Sequence, residues 1–199
     1  MVIAVSALAI GIDRFVRGGL AAMSASAPGL FLVLCGAFIL IAVLGLAITP
    51  AEKQLIERHT PGLADFGGAM AVLGHSGTIA YFSWWTLYRL GLCVTEPELA
   101  NRLAPIQLGV MFELVFVGAW VWIIAWAVAR HRVLPRGFFW LSVVKAVCFW
   151  FTFVAFLLNV TWMLVVGLGA TALVVGPAWH LWIARLFPRD GAPSEARHG

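Results

Sequence analysis

A chain of 199 residues that is 62% hydrophobic, 11% charged and +0.97 in mean hydropathy is not an ordinary soluble domain, since such domains are about 45–50% apolar and about 25% charged. The formal charge of +4 is spread between apolar stretches, with no Lys/Arg run carrying interleaved aromatics, so nucleic acid is not an expected partner. Cys35, Cys93 and Cys148 form neither a C-x-x-C pair nor a metal-type spacing, and no disulfide framework, structural zinc or other metal site is expected.

In chain order, residues 1–12 are apolar but rise only about 18 Å as a helix, too little to span. Asp13, Arg14 and Arg17 follow at once. A secretory signal carries its positive charge before the apolar stretch, so the polarity is wrong. Pro28, directly after Ala25-Ser26-Ala27, argues against cleavage there. Residues 1–27 are read as an N-terminal amphipathic helix lying in the membrane interface, with a sixth, weakly apolar span as the alternative.

Five stretches then approach the roughly 20 apolar residues that a crossing requires. They are 28–48, ended by Thr49-Pro50; 66–93; 105–129; 137–158; and 160–186. A polar loop, 51–65, joins the first two, and a tight basic loop, 130–136, joins the third and fourth. Pro177 should kink the fifth. The fold class is therefore all-α: a polytopic membrane bundle over 28–187 with five firm transmembrane helices, followed by a disordered tail at 188–199.

Basic residues set the orientation. One face, here face B, takes the 51–65 loop, the 130–136 loop and the C-terminus, and with them most of the Lys and Arg; face A takes Arg14, Arg17, Arg89 and Arg102. Face B is expected in the cytoplasm and the protein in the bacterial inner membrane. Of the ten tryptophans, Trp126, Trp140, Trp179 and Trp182 fall near face B, and Trp84, Trp85 and Trp162 near face A, as interfacial belts do. Trp120, Trp122 and Trp150 fall deeper, where packing or a ligand wall is expected.

Glu113 and Lys145 stand out, because a charge near the bilayer centre costs roughly 2.5–3.5 kcal/mol on insertion scales. Glu113 lies about 12 Å below face A, and Lys145 and His75 each about 12 Å from face B, so in a core of about 30 Å all fall near one level. Ser142, Lys145, Cys148, Thr152 and Asn159 share one helical face, as do His75 and Thr78, while Glu113 aligns with Trp120. Such seams must face protein or water. The functional reading makes His75, Glu113 and Lys145 catalytic candidates, with Glu113 and Lys145 as a mutual pair. Thr78, Trp120, Trp150, Thr152 and Asn159 are then candidate ligand contacts. The structural alternative is a buried ion pair that fixes helix register, and it carries slightly more weight.

No cofactor is expected. Haem needs two facing ligands, and His180 lies about 12 Å from His75 along the membrane normal. Patterns such as H-E-x-x-H, G-x-S-x-G and Walker A are absent from the sequence.

Arg132-Val-Leu-Pro-Arg136, Phe138-Phe-Trp140 and Pro177-Ala-Trp-His-Leu-Trp182 resemble a group of uncharacterised multi-pass bacterial membrane proteins. Those proteins pair an L-P-R loop with a terminal P-x-W-x-x-W helix. The resemblance covers the last third of the chain and implies no activity. The Trp-rich, five-span character is also similar to the tryptophan-rich sensory proteins, but their early W-x-x-x-x-K-P-x-W-x-P-P pattern is missing. The expectation is an integral membrane protein that serves as an accessory subunit or binds a small apolar ligand. The alternative is an embedded enzyme or transporter for a lipid-like substrate. Expected partners are the lipid bilayer, other membrane subunits and a hydrophobic small molecule.

Overall fold

The computed structural model describes residues 28–93, 107–132, 134–158 and 160–186. Residues 1–27, the opening of the third stretch at Pro105, Asn159 and the 188–199 tail lie outside them. The described residues form helices and no strand. We number the helices α1 (Pro28–Glu57), α2 (Pro61–Arg89), α3 (Gln107–Phe112, a π-helical turn Glu113–Val117, then Gly118–His131), α4 (Arg136–Leu157) and α5 (Thr161–Gly169, a π-helical turn Ala170–Val175, then Gly176–Leu186).

Proline and left-handed residues punctuate these helices. Pro28 and Pro61 open α1 and α2, where a missing N–H is harmless. Gly91, at φ 70, closes α2, with the Leu92 N–H donating to the Leu87 carbonyl at 2.9 Å. Arg132, at φ 54, closes α3.

Pro50 does not end α1, contrary to the sequence reading. The helix runs through it to Glu57, and Glu52 and Ile56 are buried beyond it. Proline removes one backbone bond, and the burial of that inner face outweighs the loss. Thr49 adds a hydrogen bond from its hydroxyl to the Gly45 carbonyl, 2.9 Å. Pro177 is accommodated by the π-helical turn before it, where the Gly176 N–H reaches back to the Thr171 carbonyl.

Among the described residues, four helices are long and apolar enough to cross a membrane: Pro28–Glu57, Val110–His131, Arg136–Leu157 and Trp162–Leu186. The stretch read as a fifth firm span, 66–93, does form a helix. α2 has 29 residues, but it carries His75, several glycines and hydroxyls, and it is not among those four. Its buried face carries Gly67, Gly68, Gly74, His75 and Thr78 along with Phe82 and Trp85, while Phe66, Val72, Leu73 and Leu87 are exposed. The polar groups thus turn toward protein, as they must in a bilayer.

One end of the bundle is tied across both loops. The His59 and His131 rings stack at 5.4 Å, joining the α1–α2 turn to the end of α3. Gly137 at the start of α4 lies against the Trp182 ring near the end of α5. That end is the one called face B.

Candidate functional site: a buried acid–base cluster

Glu113 opens the π-helical turn of α3, a local widening that is often found at functional sites. Its Oε1 lies 2.9 Å from His75 Nδ1 on α2. Both side chains are largely buried, at 7% exposure for His75 and 16% for Glu113. The approach is close but not aligned as a hydrogen bond, and Nδ1 makes none. Thr78, one turn beyond His75, places its Oγ1 3.1 Å from Glu113 Oε2 and 3.1 Å from the Gly74 carbonyl. A hydroxyl has one proton, so it donates to one of these at a time. The His75 ring rests on Gly45 of α1, where a Cβ would collide with it. Three helices thus fix this centre.

Lys145 is buried on α4, as its polar seam suggested. It does not pair with Glu113. Its Nζ sits 3.5 Å from the ring centroid of Trp179 on α5, a close cation–π contact. The Trp179 Nε1–H donates to Ser142 Oγ at 2.9 Å, and Ser142 donates to the Phe138 carbonyl at 2.9 Å. The lysine stem therefore leads toward face B. Its stronger electrostatic partner is Glu52, and Glu113 is the weaker one.

Glu52 is the residue that sequence reasoning missed. Read as part of a polar loop, it is in fact 5% exposed on the inner face of α1. Its Oε2 accepts a 2.6 Å hydrogen bond from the Trp120 Nε1–H. Lys145 and His75 are its charged and titratable neighbours. Trp120 is itself fully buried, its ring lying over Gly67 of α2. The available signal was the i, i+4 spacing of Glu52 and Ile56, which continues the buried face of α1 past the proline.

The remaining candidates scatter. Thr152 is buried on α4, donates to the Cys148 carbonyl at 2.7 Å and packs against Gly167 of α5. It serves a helix contact. Trp150 faces outward at 38% exposure beside Trp122, ring centroids 5.4 Å apart. Of the three tryptophans read as deep, Trp122 and Trp150 look away from the cluster and Trp120 is buried in it, while Trp179 and Trp85, read as interfacial, are also buried. Asn159 lies outside the described residues.

The cluster holds two carboxylates and one lysine among the described residues, plus His75, which is charged only when protonated. With His75 neutral it carries one excess negative charge, and a low-dielectric interior tolerates that poorly. One proton restores neutrality, and the 2.9 Å gap between Nδ1 and Oε1 is a place to hold it. Among the described residues, no group of three or more His, Cys, Asp or Glu side chains converges as metal ligands would.

The chain matches no protein-family profile, no curated protein and no solved structure.

Proposed function

We propose that this chain is a five-span protein of the bacterial inner membrane, with the 130–136 loop and the C-terminus in the cytoplasm. In this reading it is a proton-coupled carrier or enzyme for a lipid-like substrate, and His75 and Glu113 are its acid–base centre. The observation that carries this is the buried 2.9 Å approach of His75 Nδ1 to Glu113 Oε1, inside a cluster that is one positive charge short. A proton there passes between imidazole and carboxylate once a turn of the ring brings Nδ1 into line with Oε1, and the 2.9 Å separation puts the two groups within reach for acid–base work. Thr78 supports the carboxylate in either state, as donor to an ionised oxygen.

The test is difference infrared spectroscopy of the protein reconstituted in lipid, titrated between about pH 5 and pH 9. A carboxylic-acid band that appears on acidification and vanishes in Glu113→Gln is expected. A Glu113 that never changes state over that range, in protein that stays folded, overturns the reading.

One observation favours the other reading, an accessory subunit or apolar-ligand binder with a purely structural cluster. Lys145 and Glu52 each already have an indole partner from another helix, Trp179 and Trp120. Under that reading Glu113→Gln and Lys145→Met, made together, leave every co-purifying lipid and protein unchanged by mass spectrometry.

A further inference from the structure

Glu52 and Lys145 are not needed to hold a proton between His75 and Glu113, yet both are buried charges. Their heights in the bundle suggest what they do. Gly45 marks the level of the His75 ring, and Glu52 lies about 10 Å further along α1 toward face B. Trp120 lies about 10 Å past Glu113 along α3 in the same direction. Gly67, the seat of the Trp120 ring, lies about 12 Å from His75 along α2. Three helices therefore agree on a second polar level below the first. Lys145 Nζ, turned onto Trp179, belongs to this lower level.

Just beyond Glu52 the charges reach the surface. Lys53, one residue on, is part-exposed and pairs with Asp65 at 2.6 Å and Glu57 at 3.4 Å. The opposite direction is different. Toward face A the column above His75 is closed by Phe38 stacked on Phe82 at 4.5 Å, then by Phe31 edge-on to Trp85 at 5.8 Å. Phe82 and Phe31 are fully buried. Toward face B the buried groups include a carboxylate and a lysine; toward face A they are rings with the Tyr81 and Thr86 hydroxyls and Cys35 among them, and no carboxylate among the described residues.

We propose that Glu52 is the proton inlet of the cluster, so that the His75–Glu113 centre exchanges protons with face B and not with face A. This rests on the acid–base reading of that centre. The Glu52 carboxylate takes a proton from bulk water at face B. It passes that proton to His75 through intervening water, since about 10 Å is too far for a direct transfer. The imidazole accepts at one nitrogen and releases its other proton from Nδ1 to Glu113 Oε1. Glu52 is left ionised for the next proton, His75 is neutral again, and Glu113 ends as the neutral acid, so the cluster takes up one positive charge. Groups facing this route are accounted for by helix: Lys145 on α4 and His75 on α2 face Glu52, while Glu52 on α1, Glu113 on α3 and His180 on α5 face Lys145.

The experiment uses the full chain inserted in one orientation in lipid vesicles. The Glu113 acid band is followed after a pH step applied to one side only. Loading that follows the pH on face B is expected, slowed about tenfold or more by Glu52→Gln. The glutamine oxygen can still accept the Trp120 bond, so the packing is kept. Loading from face A overturns the inlet, and that measurement needs no variant. Unchanged loading in Glu52→Gln, with slower loading in Trp120→Phe, also overturns it and makes Glu52 a brace for the indole. Absence of any Glu113 acid band is a different failure, that of the acid–base reading itself.

Discussion

Lys145 is a full positive charge with no carboxylate at ion-pair distance among the described residues, and the face of Trp179 takes its place. A desolvated cation–π contact is worth about 2 kcal/mol, and the Trp179 Nε1 hydrogen bond to Ser142 adds about 1 kcal/mol. Trp179→Phe keeps a ring under the ammonium and loses the hydrogen bond, so about 1–2 kcal/mol of stability should go. Trp179→Leu also loses the ring and opens a cavity, and about 3–5 kcal/mol is expected. Lys145→Met removes the lysine that offsets two buried carboxylates and should also cost about 3–5 kcal/mol, recovered in part when Glu52→Gln is made with it. Reversible unfolding in mixed micelles ranks the variants; a Lys145→Met variant as stable as the unaltered chain would contradict this account. The sequence made Lys145 visible and hid its partner. A buried lysine is conspicuous by charge alone, but its flexible stem reaches either way along a helix, and helical phase does not say which. Glu52 was hidden by a different route: Pro50 looked like a stop, and everything after it was read as loop.

At the level of the helices, small residues decide how near the charged groups can come. Gly45 lets α1 lie against the His75 ring, Gly67 seats Trp120, and Gly167 admits Thr152. These contacts were legible only as a general tendency for glycines to mark close helix approach, because the sequence does not say which groove receives which side chain. Gly45→Ala should push the imidazole away from Glu113 and cost about 1–3 kcal/mol. The infrared band of Glu113 should shift with it, whereas Gly167→Ala should lower stability by a similar amount and leave that band in place. Pro50 gives the reverse case. Since α1 is continuous through it, Pro50→Ala restores a backbone hydrogen bond without moving Glu52. A gain of up to about 3 kcal/mol is expected, with the Glu52–Trp120 contact kept. Loss of that contact, read from the Trp120 fluorescence, would mean the proline bends α1 in a way the site needs.

For the whole molecule, parity bears on the helix that apolarity leaves out. α3 is apolar enough to cross, and so is α1. The His59–His131 stack holds the end of α3 at the same end of the bundle as the α1–α2 turn. A chain that leaves face B at Pro61 and runs through α3 back to face B must first reach face A. α2, 29 residues and about 43 Å long, is the segment available for that passage. Hydropathy gives four crossings among the described residues, and this parity is the ground for the proposed fifth, α2, which turns its polar centre inward and Phe66, Val72, Leu73 and Leu87 outward. The consequence is a labelling pattern. Cysteines placed at His59 and His131 should react with a membrane-impermeant maleimide from one side of the membrane. Native Cys93, just past the end of α2, should react from the other. In intact spheroplasts the positive charge around 130–136 puts the first two inside, protected until lysis, and leaves Cys93 open to reagent. If Cys93 labels from the same side as position 131, α2 does not cross, and the buried cluster would have to sit at an interface rather than in the core of the membrane.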